Sequence, residues 1–315
     1  ISNITFTGHS SATSGLLWAY SSLTLFNVTI QDNNMGANGG AAAASSAGTI
    51  TVMNSHIEDN SATYAGAIFA EGNISVSDSI FSGNSATDSS GGNGGAIWGS
   101  QDINISGASF LNNTSYFDGG AVYANGSVNI IESTFDSNTT GHGSGGAVAA
   151  NTNVTVSSST ISNNTAPTGV GGAFYVSSGD VVADNSTFYN NSGISDGLMY
   201  TSSGVSMKNS TLWDNESTAI GNYPIFNDSG LSIFGSIVGY SDQGTHLLPS
   251  TNFTDLGANL VTNDYGVTLN TANQSQKVLP AALDIQPLAK NTTRPSNFGR
   301  TKTLELGANS VALAS

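Results

Sequence analysis

One apolar residue recurs three places before an asparagine along most of this chain. The pairs are Ile30/Asn33, Ile57/Asn60, Phe81/Asn84, Phe110/Asn113, Phe135/Asn138, Ile161/Asn164, Phe188/Asn191 and Leu212/Asn215. Phe6/His9 and Ile237/Tyr240 read as degenerate copies at either end. Successive apolar members lie 24 to 29 residues apart. Self-similarity at such a period is the mark of a repeat architecture. Between the copies stands a second mark: Gly39-Gly40-Ala41, Gly66-Ala67, Gly94-Gly95-Ala96, Gly119-Gly120-Ala121, Gly145-Gly146-Ala147 and Gly171-Gly172-Ala173. A third lies seven and five places upstream of the anchor, as in Ile50/Val52, Ile74/Val76, Ile103/Ile105 and Val154/Val156.

The i, i+2 spacing is the alternation of a β-strand, and the Gly, Asn and Ser clusters fit turns. Helical repeats of similar length need 3.6-periodic runs of good helix formers, which are missing. A coil of about 25 residues with two or three short strands closes on itself, and each coil hides its neighbour's apolar side. The expected fold is all-β: a parallel β-helix of about ten coils, stacked roughly 4.8 Å apart and so on the order of 50 Å long. The anchors should stack inside. The asparagines should bond along the axis and take left-handed turn dihedrals. The glycine pairs should permit a tight corner.

Residues 1–238 form the repetitive shaft, and 239–315 read as irregular coils, a cap or an assembly segment of the same domain. The shaft holds 16 of the 21 acidic residues and a single base, Lys208, hence the whole net charge of −15. Six bases in 315 residues argue against nucleic acid and anionic membrane. No apolar run approaches a membrane span. With no Cys, disulfides and thiolate chemistry are excluded. No signal peptide is expected at Ile1, or one has been removed, and the chain is expected to open inside a coil. An uncovered coil end exposes unpaired strand edges, so either it is a trimmed fragment or a second molecule caps it, and open head-to-tail contact makes filaments.

The paired marks resemble the repeats of polymorphic outer-membrane proteins and related bacterial and archaeal surface proteins, within the pectin-lyase-like right-handed β-helix superfamily. The likeness covers roughly residues 1–240. The tail, with Gly235–Val238, Asp255–Leu260 and Leu283–Asn291 in order, resembles the end of choice-of-anchor surface β-helix proteins. The resemblance implies right-handed coiling and a surface location, and leaves activity open.

Two sets of residues are candidate sites. Sequons number 18, about twice what 35 Asn and 80 Ser or Thr produce by chance. The candidates for N-linked glycans are Asn73, Asn104, Asn113, Asn125, Asn138, Asn163, Asn190, Asn215 and Asn227. Turn sequons such as Asn138, Asn190 and Asn215 are expected to be exposed; the opposing reading is that strand patterns create sequons by accident. The second set is an aromatic series two residues after the Ala of the glycine mark: Phe69, Trp98, Tyr123, Tyr175 and Tyr200, interrupted by Ala149. Alternation places it outside, as a stacking platform for sugar rings or a partner protein, while a reversed register would make it core. Trp18 and Trp213 read as packing residues.

The superfamily includes pectate lyases and polygalacturonases. A lyase needs a strong base near a cation, and the shaft offers only Lys208. Hydrolysis needs two placed carboxylates. Asp32 and Asp59 occupy equivalent positions in adjacent coils, but the same position is Gly83, Asn112, Ser137 and Asn163 further on, which reads as a variable solvated turn. No catalytic residue, metal site or cofactor is expected. The leading expectation is a non-enzymatic, secreted or cell-surface structural glycoprotein that joins copies of itself head to tail. A monomeric adhesin or a module that binds extracellular polysaccharide is the second reading, and a polysaccharide-degrading enzyme the third.

Overall fold

The computed structural model describes residues 1–11, 15–36, 39–40, 42–44, 48–218, 230–239, 252–262, 269, 271–277, 289–290 and 302–303. They form a right-handed parallel β-solenoid of about ten coils. Each full coil carries four short strands rather than two or three, and four parallel sheets run the length of the shaft. In the coil from Ile74 the strands are Ile74–Ser77 in sheet A, Ile80–Ser82 in sheet B, Ser85–Ala86 in sheet C and Ile97–Gly99 in sheet D. Sheets A, B, C and D hold ten, twelve, nine and eight strands. Sheets A and B continue beyond the shaft through Phe253–Asp255 and Gln276–Lys277.

Alternation decides what is inside. In sheet A, Ile74 and Val76 are buried while Ser75 between them is exposed. In sheet B the anchor is the central residue of three, and in-register pairing sets each anchor on the next: Ile57 on Phe81, Phe81 on Phe110, Phe110 on Phe135. The rings of Phe81, Phe110 and Phe135 lie parallel, with centroids 4.9 and 4.6 Å apart. At the far end the anchor falls one residue later than the repeat suggests. Leu212 pairs with Val238, which is buried, and Ile237 is only half-buried.

The asparagine of each copy is buried and spans three coils. The Asn84 Nδ2 donates to the Ile57 carbonyl one coil back (2.8 Å) and to the Asn113 Oδ1 one coil on (3.0 Å). Its own Oδ1 accepts from the backbone N–H and the side chain of Asn60. The pattern repeats from Asn33 to Asn215. These asparagines do not take the left-handed dihedrals expected of them. The residue before each one does: Asp32, Asp59, Gly83, Asn112, Ser137, Asn163, Asn190 and Asp214 all have φ between 51° and 63°.

A serine ladder runs beside it. Two residues before the anchors, Ser133 N–H donates to Ser159 Oγ (3.0 Å), Ser159 to Ser186 and Ser186 to Ser210. Each hydroxyl also donates to the carbonyl two residues back, as Ser159 does to Ser157. Both columns satisfy buried polar groups that a turn would otherwise leave unpaired. The glycine pair works by two separate means. Gly119 has φ +67°, and a Cβ on Gly120 would run into the carbonyl oxygen of Gly146 in the next coil.

Candidate functional site: the outer column of sheet D

Sheet D turns the middle residue of each three-residue strand outward. Ile68 and Ala70, Ile97 and Gly99, Val122 and Ala124 face inward and are buried. The column of middle residues is Trp18, Ala43, Phe69, Trp98, Tyr123, Ala149, Tyr175 and Tyr200, all in register. Trp18 therefore belongs to the column and is 46% exposed, against the expectation that it packs inside. Trp213, on sheet B, is buried, and its ring would meet a Cβ on Gly239.

The rings stack on one another. Phe69 and Trp98 are 4.5 Å apart at 6°, Trp98 and Tyr123 6.2 Å at 11°, Tyr175 and Tyr200 5.3 Å at 20°. Neighbouring rings thus occupy each other's faces, and the column offers mainly ring edges to solvent, not the open platform for sugar rings that the spacing suggests. Phe69 is itself covered, by Trp98 and by Ala65. Ala149 does not open a slot. It is fully buried although it points outward, between Tyr123 and Tyr175 of the adjoining coils. The Tyr123 hydroxyl donates to Asn125 Oδ1 (3.2 Å), which also accepts from Asn151 Nδ2 in the Ala149 coil (3.2 Å).

Near Tyr123 lies Asp118, immediately before the glycine pair. Asn93 Oδ1 accepts from the Asp118 N–H (2.9 Å), and Asp118 Oδ1 accepts from the Ser144 N–H (2.7 Å). Burial pushes the Asp118 carboxyl above the usual carboxylate range, and the Ser144 hydrogen bond partly offsets it. Burial also raises the Tyr123 and Tyr175 hydroxyls, and the Asp118 charge raises both further. A second aromatic group lies on the loops just before sheet D, where Tyr116 meets Phe117 at 5.1 Å and His142 at 4.7 Å. The result is an aromatic, hydrogen-bonding strip with one recessed carboxylate, on a shaft whose remaining acids sit mostly in turns.

The nine glycosylation candidates divide sharply. Asn113, Asn138 and Asn215 are buried ladder residues, which overturns the expectation that turn sequons there are exposed. Asn138 Nδ2 donates to the Phe110 carbonyl (3.0 Å) and to Asn164 Oδ1 (2.9 Å), so both its hydrogens are in use. Asn73, Asn104, Asn125 and Asn190 are exposed, Asn163 is half-buried, and Asn227 lies outside the described residues. Asp32 and Asp59 are the left-handed turn residues described above, and the Asp59 carboxylate occupies the space a side chain at 83 would need. Among the described residues no cluster of three or more His, Asp or Glu side chains could hold a metal ion. Nor, among them, is any helix long and apolar enough to cross a membrane.

These features are those of a right-handed parallel β-helix. The family model for the right-handed β-helix region matches residues 93–276, more than half of the chain, and the chain belongs to that family. The model of the Chlamydia polymorphic membrane protein repeat matches residues 78–100, the stretch from the sheet B anchor Phe81 to the glycine mark and Trp98. No curated protein and no solved structure matches the chain.

Proposed function

We propose that this chain is the shaft of a surface-displayed, adhesin-type β-helix protein that makes contact through the outer column of sheet D. The observation that carries the reading is the column itself. Inward positions of sheet D are filled by the core, yet its outward positions hold large aromatics where Ser or Thr would suffice for a solvated sheet. Aromatic residues with a polar tip are the side chains most used at binding surfaces. The reading is non-enzymatic and extracellular. The match to the polymorphic membrane protein repeat supports a surface location, and the carboxylates weighed for hydrolysis serve as turn residues.

The test is retention of fluorescent beads, coated with the protein, on a panel of immobilised extracellular polysaccharides and matrix proteins. Wild-type beads should be held by at least one member of the panel, and beads carrying Trp98→Ser, Tyr175→Ser and Tyr200→Ser together should be released from it. Equal retention of both would end the reading.

Head-to-tail assembly is the second reading. In the first described coil Phe6, Leu16, Leu17 and Leu23 pack on the core but are only partly buried. A further parallel coil fits over them, from adjoining sequence or from a second copy. Sedimentation that grows with concentration supports a second copy, and a constant monomer value removes it.

A further inference from the structure

In an asparagine–glycine pair the main-chain nitrogen of the glycine can attack the side-chain amide before it, and no Cβ shields that nitrogen. The chain holds three such pairs: Asn38-Gly39, Asn93-Gly94 and Asn125-Gly126. Asn38 lies outside the described residues. The other two share a dipeptide and differ in how the coil holds them.

Asn93 is half-buried and held at both reacting ends by one residue of the next coil. The Gly94 N–H donates to the Asp118 carbonyl (3.0 Å), and Asn93 Oδ1 accepts from the Asp118 N–H (2.9 Å). Gly94 is also fixed at φ +66°. Attack there needs the coil to open locally first. Asn125 is exposed, in the crossing from the sheet D strand Val122–Ala124 to the sheet A strand Val128–Ile131. Its Oδ1 accepts from the Tyr123 hydroxyl and from Asn151 Nδ2. Two donors on that oxygen draw charge from Cγ and stabilise the anion that forms when Cγ is attacked. The Gly126 N–H donates to no group among the described residues. Glycine is nevertheless required at 126, since a Cβ would meet the Gln101 carbonyl carbon at 2.7 Å and the Asp102 nitrogen at 2.8 Å. The fold thus demands the glycine and leaves its nitrogen unbonded beside a polarised amide.

We propose that Asn125 is a self-modification site, where the chain converts its own side-chain amide to an acid through a cyclic imide. The Gly126 nitrogen forms a bond to Asn125 Cγ. The Cγ–Nδ2 bond breaks, and Nδ2 leaves as ammonia with the proton lost from Gly126. Water then opens the imide at either carbonyl and leaves aspartate or isoaspartate at 125. An aspartate keeps an oxygen for Tyr123 and Asn151 to donate to. The reaction adds one negative charge to the net −15 and erases the Asn125-Gly126-Ser127 sequon. It competes with a glycan for the same nitrogen and does not depend on contact through sheet D.

The experiment uses the full chain, produced without glycans and held folded at body temperature and mildly alkaline pH. Samples taken over time are digested and mapped by mass spectrometry for the amide-to-acid mass change and for isoaspartate. Asn125 should convert at least tenfold faster than Asn93, about 1.4 kcal/mol of barrier, and should yield both acids. In urea, where neither coil is held, the two sites should convert at similar rates. The proposal is overturned if Asn125 keeps its amide in the folded chain or converts no faster there than Asn93. It is also overturned if the same difference in rate persists in urea, which would assign it to local sequence instead of the coil.

Discussion

Two columns run along this solenoid at the same pitch, and they treat repetition differently. The inner asparagine column is unbroken from Asn33 to Asn215. The outer column of sheet D changes from Trp to Phe to Tyr and admits Ala43 and Ala149. The inner one repeats because each amide serves the coils on either side, so one substitution removes hydrogen bonds from both neighbouring coils. The outer one varies because no hydrogen bond links its members along the axis, so Ala149 stands between Tyr123 and Tyr175 without breaking the register. Strict repetition therefore marks what holds the coil, and variation within a constant register marks the surface available for contact.

The comparison breaks first at the core. Phe110→Ala removes the middle ring of a three-ring stack and should cost about 3–5 kcal/mol, read as a shift in the urea midpoint at constant slope. Asn138→Ala comes next. It strips a hydrogen bond from the Phe110 carbonyl, the Asn113 backbone N–H and Asn164 Oδ1. Each buried group left unsatisfied costs about 1–3 kcal/mol. An Asn138→Ala protein that melts with the wild type would mean the ladder carries no stability. On the outer column Tyr200→Ser should cost only about 0.5–1.5 kcal/mol, the worth of one stacked pair. A larger loss would make the outer column structural too.

The smallest effect sharpens the contrast through pH. Asp118 has its carboxyl pKa raised in the folded chain. The native state therefore holds the proton more tightly than the unfolded chain does. Its contribution to stability is present below the unfolded pKa and is lost as pH rises through the folded one. Asp118→Asn removes that dependence while keeping an acceptor oxygen, as Asn93 has one coil earlier. The variant should gain melting temperature over the wild type as pH rises from the ordinary carboxylate range to neutrality. A difference that is flat with pH would mean the carboxylate is solvated.

Most of the architecture is legible in the sequence because a solenoid writes its contacts into its period. Residues about 25 apart touch, so spacing alone places the anchors, the glycine pairs and the outward aromatics. What the period does not carry is local. The sheet C strands, such as Ser61–Ala62 and Ser85–Ala86, are two residues long, too short to show alternation. The serine ladder is hidden among 80 Ser and Thr residues. Trp18 is detached from its series by Ala43. The left-handed turn falls one residue earlier than the repeat suggests: in Asn112-Asn113 both positions carry sequons, but 112 takes the left-handed dihedral and is exposed while 113 is buried in the ladder. A single sequon pattern cannot separate them, since the choice depends on which amide reaches the coils on either side.

Side-chain amide exchange tests the contrast between the two columns most directly. In ¹⁵N-labelled protein, the Nδ2 protons of Asn33, Asn60, Asn84, Asn113, Asn138, Asn164, Asn191 and Asn215 should exchange far more slowly than those of Asn73, Asn104 and Asn125. Ladder amides that exchange as fast as Asn104 would contradict the claim that they hold the coils together.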